Sequence, residues 1–184
     1  MGPEGAGKST QAKMLALELQ LPCVSTGDML RAFAADDQGF LGDTARKMFA
    51  ENGYLAADLI NQIVGQTLQD EKYRKGVILD GCLRTYEETF HFDEVLKNAH
   101  LNIPVTVFSL TIPLDESINR LTFGRKREDD TIQGVERRLS HFNTRLAERL
   151  AIIEEKYHLI TIDGKGNKEE VHETIMRELK IING

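Results

Sequence analysis

The stretch GPEGAGKS, residues 2–9, matches the pattern G-x-x-x-x-G-K-[ST] of a loop that wraps around phosphate groups. Its glycines allow the backbone to curl so that several N–H groups point inward at phosphate oxygens. The helix predicted to follow adds the partial positive charge of its N-terminus. In this arrangement the Lys8 ammonium reaches the β- and γ-phosphates of a nucleoside triphosphate, and the Ser9 hydroxyl coordinates Mg²⁺. The stretch therefore predicts a P-loop that binds a nucleotide.

A P-loop normally follows a buried strand, but only Met1 precedes this one. Four later segments are short and apolar enough to be buried strands: 21–25, 76–81, 103–112 and 159–164. Helical patterns alternate with them, at 8–19, 28–35, 58–68, 85–99, 114–121, 132–157 and 169–179. The alternation predicts an α/β fold of P-loop NTPase type, a doubly wound parallel sheet with helices on both faces. Its first strand is missing or truncated before the loop, and we expect the natural chain to start upstream of Met1, because the gap would expose two sheet edges.

Composition narrows the class of protein. A chain of 184 residues suits one domain, and a net charge of −6 argues against general attraction to nucleic acid or acidic membranes. The two cysteines, Cys23 and Cys82, form neither a metal-like pair nor a disulfide framework, which favours a reducing cytoplasm. No apolar run approaches the roughly 20 residues that span a bilayer. We therefore expect a cytoplasmic protein without a membrane or nucleic-acid partner. We expect a monomer, because the sequence shows no obvious apolar stripe for an interface.

Three further motifs follow the P-loop in order: STGDMLR at 25–31, VILDGCLRT at 77–85, and KREDD and RRL within 126–139. With the P-loop, they resemble the adenylate kinase family of nucleoside monophosphate (NMP) kinases. The resemblance implies the reaction ATP + NMP ⇌ ADP + NDP, most simply with AMP as acceptor, and with Mg²⁺ as cofactor. It also implies one kinase domain, 1–184, with a core at 1–25, 71–121 and 135–184, an NMP-binding flap at 26–70 and a short lid at 122–134. The lid contains no cysteine, so no zinc is expected there.

The resemblance also assigns roles to residues of this chain. ATP would contact Gly2, Glu4, Gly5, Ala6, Gly7, Lys8, Ser9, Thr10 and Arg120. The NMP would contact Thr26, Arg31, Leu55, Ala56, Gly81, Arg84 and Glu88. Catalysis would rest on Lys8, Arg84, Arg127 and Arg138, because phosphoryl transfer needs positioning and charge neutralisation, which arginine forks supply. Magnesium would be held by Ser9 and, through water, by Asp80.

Three residues, at two places in the chain, depart from the family pattern. Cys82 and Leu83 stand where the family commonly has Phe-Pro, so we expect a trans bond between them and some shift of Arg84. Glu88 stands where the family often has a Gln that contacts the base. A carboxylate only accepts hydrogen bonds, and guanine offers two adjacent donors, so Glu88 either shifts the preference toward GMP or turns into solvent.

The sequence leaves two alternatives to an AMP or GMP kinase. A GTPase would need an Asn-Lys-x-Asp motif, and 167–170 reads NKEE, without the final Asp. A catalytically impaired nucleotide-binding module is the second, because of the missing strand and the changed Cys82-Leu83 pair.

Overall fold

The computed structural model describes residues 1–51, 55–125 and 132–183. Four short strands occur there: β1 (Cys23–Ser25), β2 (Ile78–Asp80), β3 (Thr106–Thr111) and β4 (His158–Asp163). The helices of the first half are α1 (Lys8–Leu19), α2 (Thr26–Asp36), α3 (Phe40–Ala50), α4 (Ala57–Thr67), α5 (Tyr86–Phe90) and α6 (Phe92–Asn98). Those of the second half are α7 (Leu114–Asn119), α8 (Ile132–Asn143), α9 (Leu146–Lys156) and α10 (Lys168–Asn183). A 3₁₀ turn at Glu71–Tyr73 and a π-helical segment at Arg120–Arg125 complete the set.

The strands pair in parallel, as predicted, in two pairs. β1 runs beside β2 with Ser25 opposite Asp80, and β3 runs beside β4 with Thr106 opposite His158. Met1 attaches to the edge of β3: the Leu110 N–H donates to the Met1 carbonyl at 2.9 Å, and the Met1 amine donates to the Phe108 carbonyl. The P-loop therefore leads directly away from the edge of β3.

Helices cover both faces of the β3–β4 pair. Val107 and Leu159 pack on one face with Ile153 of α9. The next residue on each strand points the other way, because side chains alternate along a strand, and these residues pack with the apolar side of α10 and with Leu15 of α1. The α/β class with helices on both faces is thus confirmed.

Three helix predictions need correction. The helix predicted at 132–157 is two helices, because Arg145 adopts a left-handed backbone (φ 52°) between α8 and α9. The helix predicted at 85–99 is interrupted at His91, where α5 ends and α6 begins. The helix predicted to start near residue 28, with Thr26 as a possible cap, starts at Thr26 itself, and its cap is Ser25, whose side chain accepts from the Asp28 N–H.

Helices α2, α3 and α4 occupy the segment predicted as the flap. α2 packs on α3, and Arg137 of α8 reaches across to donate to the Glu51 carbonyl at the end of α3, at 2.5 Å. The division into core, flap and lid stays a prediction. Of the predicted lid at 122–134, residues 126–131 lie outside the described residues. Within the described ranges, no helix is both long enough and apolar enough to cross a membrane.

Candidate active site

The P-loop has the curled backbone that its sequence predicts. Gly5 lies at φ 81°, and a Cβ there would sit 2.9 Å from the Ser117 carbonyl oxygen, so both conformation and space require glycine. The Lys8 ammonium donates to the Pro3 carbonyl at 2.7 Å, which folds the side chain back over the loop. Ser9 and Thr10 form the exposed start of α1. The loop thus holds a lysine at the N-terminus of α1, and both groups are of the kind that binds phosphates.

Helix α7 supports the P-loop from outside. The Ser117 hydroxyl donates to the Glu4 carbonyl, and Ala6 is buried. Arg120, predicted to contact ATP, pairs with Glu116 at 2.6 Å. Its guanidinium also donates to the Gly164 carbonyl at 2.9 Å and to the Lys165 carbonyl at 3.2 Å, after β4. A Cβ on Gly164 would lie 3.2 Å from the Ala6 carbonyl oxygen, so Arg120 organises the wall beside the P-loop.

A second loop follows β2 and brings three predicted residues together. The Thr26 hydroxyl, buried at the start of α2, donates to the Gly81 carbonyl at 2.8 Å. Gly81 lies at φ 88°, and a Cβ there would be 2.6 Å from both Arg84 Nη2 and Thr26 Oγ1. The Arg84 guanidinium therefore lies directly over Gly81, with Thr26 beside it.

The Cys82–Leu83 segment behaves as predicted at its peptide bond. None of the described peptide bonds is cis, so Cys82–Leu83 is trans, and Leu83 takes a left-handed backbone at φ 60°. Burial, helped by the Glu88 carboxylate, raises the pKa of the Cys82 thiol to about 12. The thiol therefore stays neutral beside the residues predicted to bind phosphate.

Glu88 is turned neither to solvent nor away from the loop. It is 2% exposed, and its Oε2 accepts from the Arg84 N–H at 2.9 Å. Burial raises the Glu88 pKa above its ordinary value, while that N–H and the charges of Arg84 and Arg149 act against the rise. The prediction that Glu88 turns into solvent is therefore wrong. Glu88 is the third residue of α5, and Thr85 is the N-cap of that helix. From this position the Glu88 side chain extends back to the backbone of the loop that precedes the cap.

The P-loop and the second loop face each other across one cavity. Lys8 and Gly2 line it from the P-loop, and Gly81 and Arg84 line it from the second loop. Phe142 of α8 closes the side. Arg138 is buried on α8 four residues before Phe142, so helical spacing puts both on the same face. The structure thus brings Lys8, Arg84 and the face of α8 that carries Arg138 to one place.

The other predicted NMP residues lie on the flap side. Arg31 on α2 pairs with Asp28, and the hydrogen bond from Arg31 lowers the Asp28 pKa. Leu55 is buried in the main core, and Ala56 precedes α4 as its exposed cap residue. No contact of these three residues with the cavity is present among the described contacts. Arg127, predicted to act in catalysis, lies outside the described residues.

Two oxygen donors suit the predicted magnesium ion. Asp80 is buried at the carboxyl end of β2, and Ser9 is the second residue of α1. Within the described ranges, no group of three or more His, Cys, Asp or Glu side chains is arranged to hold a metal. Magnesium bound to nucleotide phosphates usually takes only one or two protein oxygens and keeps several waters, so a hydroxyl and a carboxylate fit it.

Sequence reasoning missed one residue of the site, Arg149. Its side chain is completely buried, and its guanidinium donates to the Leu83, Arg84 and Phe142 carbonyls. The sequence does indicate that Arg149 is buried. The i, i+3, i+4, i+7 spacing of an apolar helix face is present at Leu146, Arg149, Leu150 and Ile153. An arginine on such a face needs buried acceptors, which the loop after β2 supplies.

A phosphate loop facing an arginine-bearing loop across one cavity, on parallel strands covered by helices, defines a P-loop phosphotransferase. Comparison with known proteins gives the family. A family model described as adenylate kinase matches residues 1–158. An adenylate kinase of Mycolicibacterium vanbaalenii is 35% identical over 179 residues, which cover 97% of this chain and 96% of the relative. An adenylate kinase of Leptospira biflexa is 34% identical over 184 residues, covering 97% of each chain, and one of Kocuria rhizophila is 34% identical over 185 residues, covering 98% and 96%.

The chain belongs to the adenylate kinase family, which confirms the resemblance seen in its four ordered motifs. It is therefore a nucleotide phosphotransferase and not a GTPase.

Proposed function

We propose that this protein transfers the γ-phosphoryl group of ATP to AMP and forms two molecules of ADP. One observation carries the proposal: Lys8 of the P-loop and Arg84 of the facing loop line the same cavity. The cavity has a volume of only about 20 Å³, so the two basic side chains lie close together. Their place between the two loops is where the phosphates of two nucleotides, one bound on each loop, would meet. The names of the relatives support AMP as the acceptor.

In this mechanism ATP binds along residues 2–10, with its phosphates on the loop N–H groups and on Lys8. The AMP phosphate pairs with Arg84, and Arg31 contributes from the flap. Arg138, and Arg127 from the lid, neutralise the charge that spreads over the transferring group. An AMP phosphate is already anionic near neutral pH, so no general base is needed, and no histidine is among the described residues that line the cavity.

Ser9 and Asp80 would hold Mg²⁺, the first directly and the second through water. The ion would supply neutralisation of the negative charge on the ATP phosphates. Lid closure over 122–134 would exclude water, which otherwise competes with AMP for the phosphoryl group. We also propose that the protein works as a cytoplasmic monomer on free nucleotides.

The contacts of Glu88 favour AMP over GMP. To read a guanine edge, Glu88 would have to present its carboxylate to the base. Its side chain is instead 2% exposed, and its Oε2 accepts from the Arg84 N–H, which supports AMP as the acceptor. We expect Glu88→Gln to leave the ratio of AMP to GMP turnover within about twofold of the wild type. A twofold change corresponds to a difference of less than about 0.5 kcal/mol between the two acceptors.

The proposal is tested by coupled measurement of ADP formation from Mg·ATP with AMP, GMP, CMP and UMP in turn. AMP should be the preferred acceptor. Lys8→Met should lower kcat by about 100-fold or more, because it removes a charge aimed at the transferring group. Lys13→Met removes an exposed lysine from the same helix and should leave kcat unchanged. Equal rates for the two variants would contradict the role of the P-loop.

A further inference from the structure

The backbone of Arg84 is held from both sides by buried ionisable side chains. Its N–H donates to Glu88 Oε2 at 2.9 Å, and its carbonyl accepts from Arg149 Nη1. Arg149 Nη1 also donates to the Leu83 carbonyl at 3.3 Å. Glu88 is 2% exposed and Arg149 is 0% exposed, so both side chains face the protein interior. Both bind the backbone of the loop.

The loop needs such support because of its own conformation. Gly81 and Leu83 both have positive φ, at 88° and 60°, and Leu83 pays a steric cost there that glycine does not. A loop with two left-handed residues keeps its shape only where the surrounding structure fixes it. Hydrogen bonds to the carbonyls of residues 83 and 84 and to the N–H of residue 84 supply that restraint.

Arg149 also connects this loop to helix α8. Its Nη2 donates to the Phe142 carbonyl, and its Cζ lies 5.0 Å from the centroid of the Phe142 ring. Phe142 lies one helical turn after Arg138. One buried guanidinium therefore spans the distance between the loop that carries Arg84 and the helix that carries Arg138.

We propose that Glu88 and Arg149, named here the Arg84 clamp, are positioning residues that aim Arg84 at the acceptor phosphate. The inference rests on the proposed function, because it assigns Arg84 to the acceptor phosphate. Since the clamp acts through Arg84, its loss changes the acceptor side and leaves the ATP side intact.

The first test is Arg149→Met, which keeps much of the volume and removes all donors. Misplacing a catalytic group by about 1 Å costs up to about 100-fold, so we expect kcat/KM for AMP to fall by about 10- to 100-fold, with KM for ATP within about twofold of wild type. The matched control is Ile153→Ala, one turn further along α9, which is also completely buried and does not contact the loop by any described hydrogen bond. It should lower Tm and leave KM for AMP unchanged when both variants are assayed well below their Tm. Equal KM for AMP in the two variants would overturn the proposal.

A double-mutant cycle distinguishes an effect of Arg149 on the position of Arg84 from a nonspecific effect of the substitution on the fold. In an Arg84→Met background the clamp has no guanidinium to aim, so adding Arg149→Met should lower kcat/KM for AMP by less than about twofold. Full additivity of the two effects would overturn the proposal. If Arg149→Met does not fold, Arg149→Lys takes its place: lysine keeps the charge but lacks the planar fork, and we expect a smaller loss on the AMP side only. A lysine variant with wild-type KM for AMP would count against the clamp.

Calorimetric titration with AMP distinguishes failure of this inference from failure of the proposed function. If the wild type makes no ADP with any acceptor, the proposed function fails, and the clamp is still tested by the AMP dissociation constant. We expect that constant to rise about tenfold or more in Arg149→Met. An unchanged constant would overturn the clamp whether or not the protein is a kinase.

Discussion

Gly81 sits where the two predicted acceptor-site side chains meet, which makes Gly81→Ala a demanding test of the site geometry. A methyl group there would lie 2.6 Å from Arg84 Nη2 and 2.6 Å from Thr26 Oγ1, so both side chains have to move. The backbone at φ 88° costs an alanine about 1–2 kcal/mol. Loss of the hydrogen bond from Thr26 to the Gly81 carbonyl costs about 1 kcal/mol more.

Together these effects predict a loss of about 2–3 kcal/mol in the free energy of unfolding. For a chain of this size, that lowers Tm by about 4–12 °C. Because Arg84 is displaced from its place over Gly81, kcat/KM for AMP should fall by about 100-fold while KM for ATP changes by less than about twofold. Scanning calorimetry and the coupled ADP assay measure the two effects on the same samples.

Gly65→Ala is the matched control for this change. Gly65 lies inside α4, and a Cβ there would be 3.6 Å from Val95 Cγ1, an ordinary van der Waals contact. Alanine should therefore stabilise the helix by about 0.5–1 kcal/mol and leave activity unchanged. If Gly81→Ala proves as stable and as active as Gly65→Ala, the described arrangement of Thr26, Gly81 and Arg84 is wrong.

Three further predictions concern pH, packing and metal. Burial raises the Glu88 pKa in the folded protein, so the folded state binds this proton more tightly than the unfolded chain does. The resulting contribution to the free energy of unfolding is present below about pH 4.5 and is lost as pH rises through the raised pKa. Urea unfolding at a series of pH values measures the free energy of unfolding of the wild type and of Glu88→Gln. The loss with rising pH should be absent in Glu88→Gln, and the same pH dependence in both proteins would contradict the prediction. His172 joins α10 to α1, because its ring nitrogens lie 3.2 Å from Gln11 Oε1 and 3.0 Å from Glu18 Oε2. His172→Leu should therefore lower the free energy of unfolding by about 1–3 kcal/mol and leave KM for ATP and KM for AMP unchanged. A change in either KM would link this contact to the active site. Chelation of Mg²⁺ with EDTA should abolish ADP formation and leave Tm within about 2 °C in the absence of nucleotide, because the ion binds mainly through nucleotide phosphates.

The P-loop could be predicted from the sequence because its function depends on a contiguous run of residues. Glycine at position 5 and lysine at position 8 act through local backbone geometry, which a short motif records directly. The parallel strands were equally accessible, because a strand buried on both faces is an uninterrupted apolar run.

The remaining parts depend on contacts between residues that lie far apart in the chain. The break before α9 occurs at Arg145, whose left-handed backbone has no glycine or proline to announce it. The orientation of Glu88 depends on the N–H of a strained loop, and the role of Arg149 depends on carbonyls about 65 residues earlier in the chain. Helix propensity and hydrophobic periodicity carry no information about such distant partners. An arginine on the apolar face of α9 indicates only that a buried hydrogen-bond partner exists.

The central claim is that the P-loop and the loop after β2 each bind a nucleotide and that a phosphoryl group passes between the two nucleotides. The most direct test incubates the protein with Mg·ATP labelled in the γ-phosphate and an excess of unlabelled AMP, and follows the label. The account predicts that label leaves ATP and appears in ADP, with negligible inorganic phosphate, and that Lys8→Met and Arg84→Met both stop the transfer. Label that stays in ATP, or that appears as inorganic phosphate at the same rate with and without AMP, would contradict it.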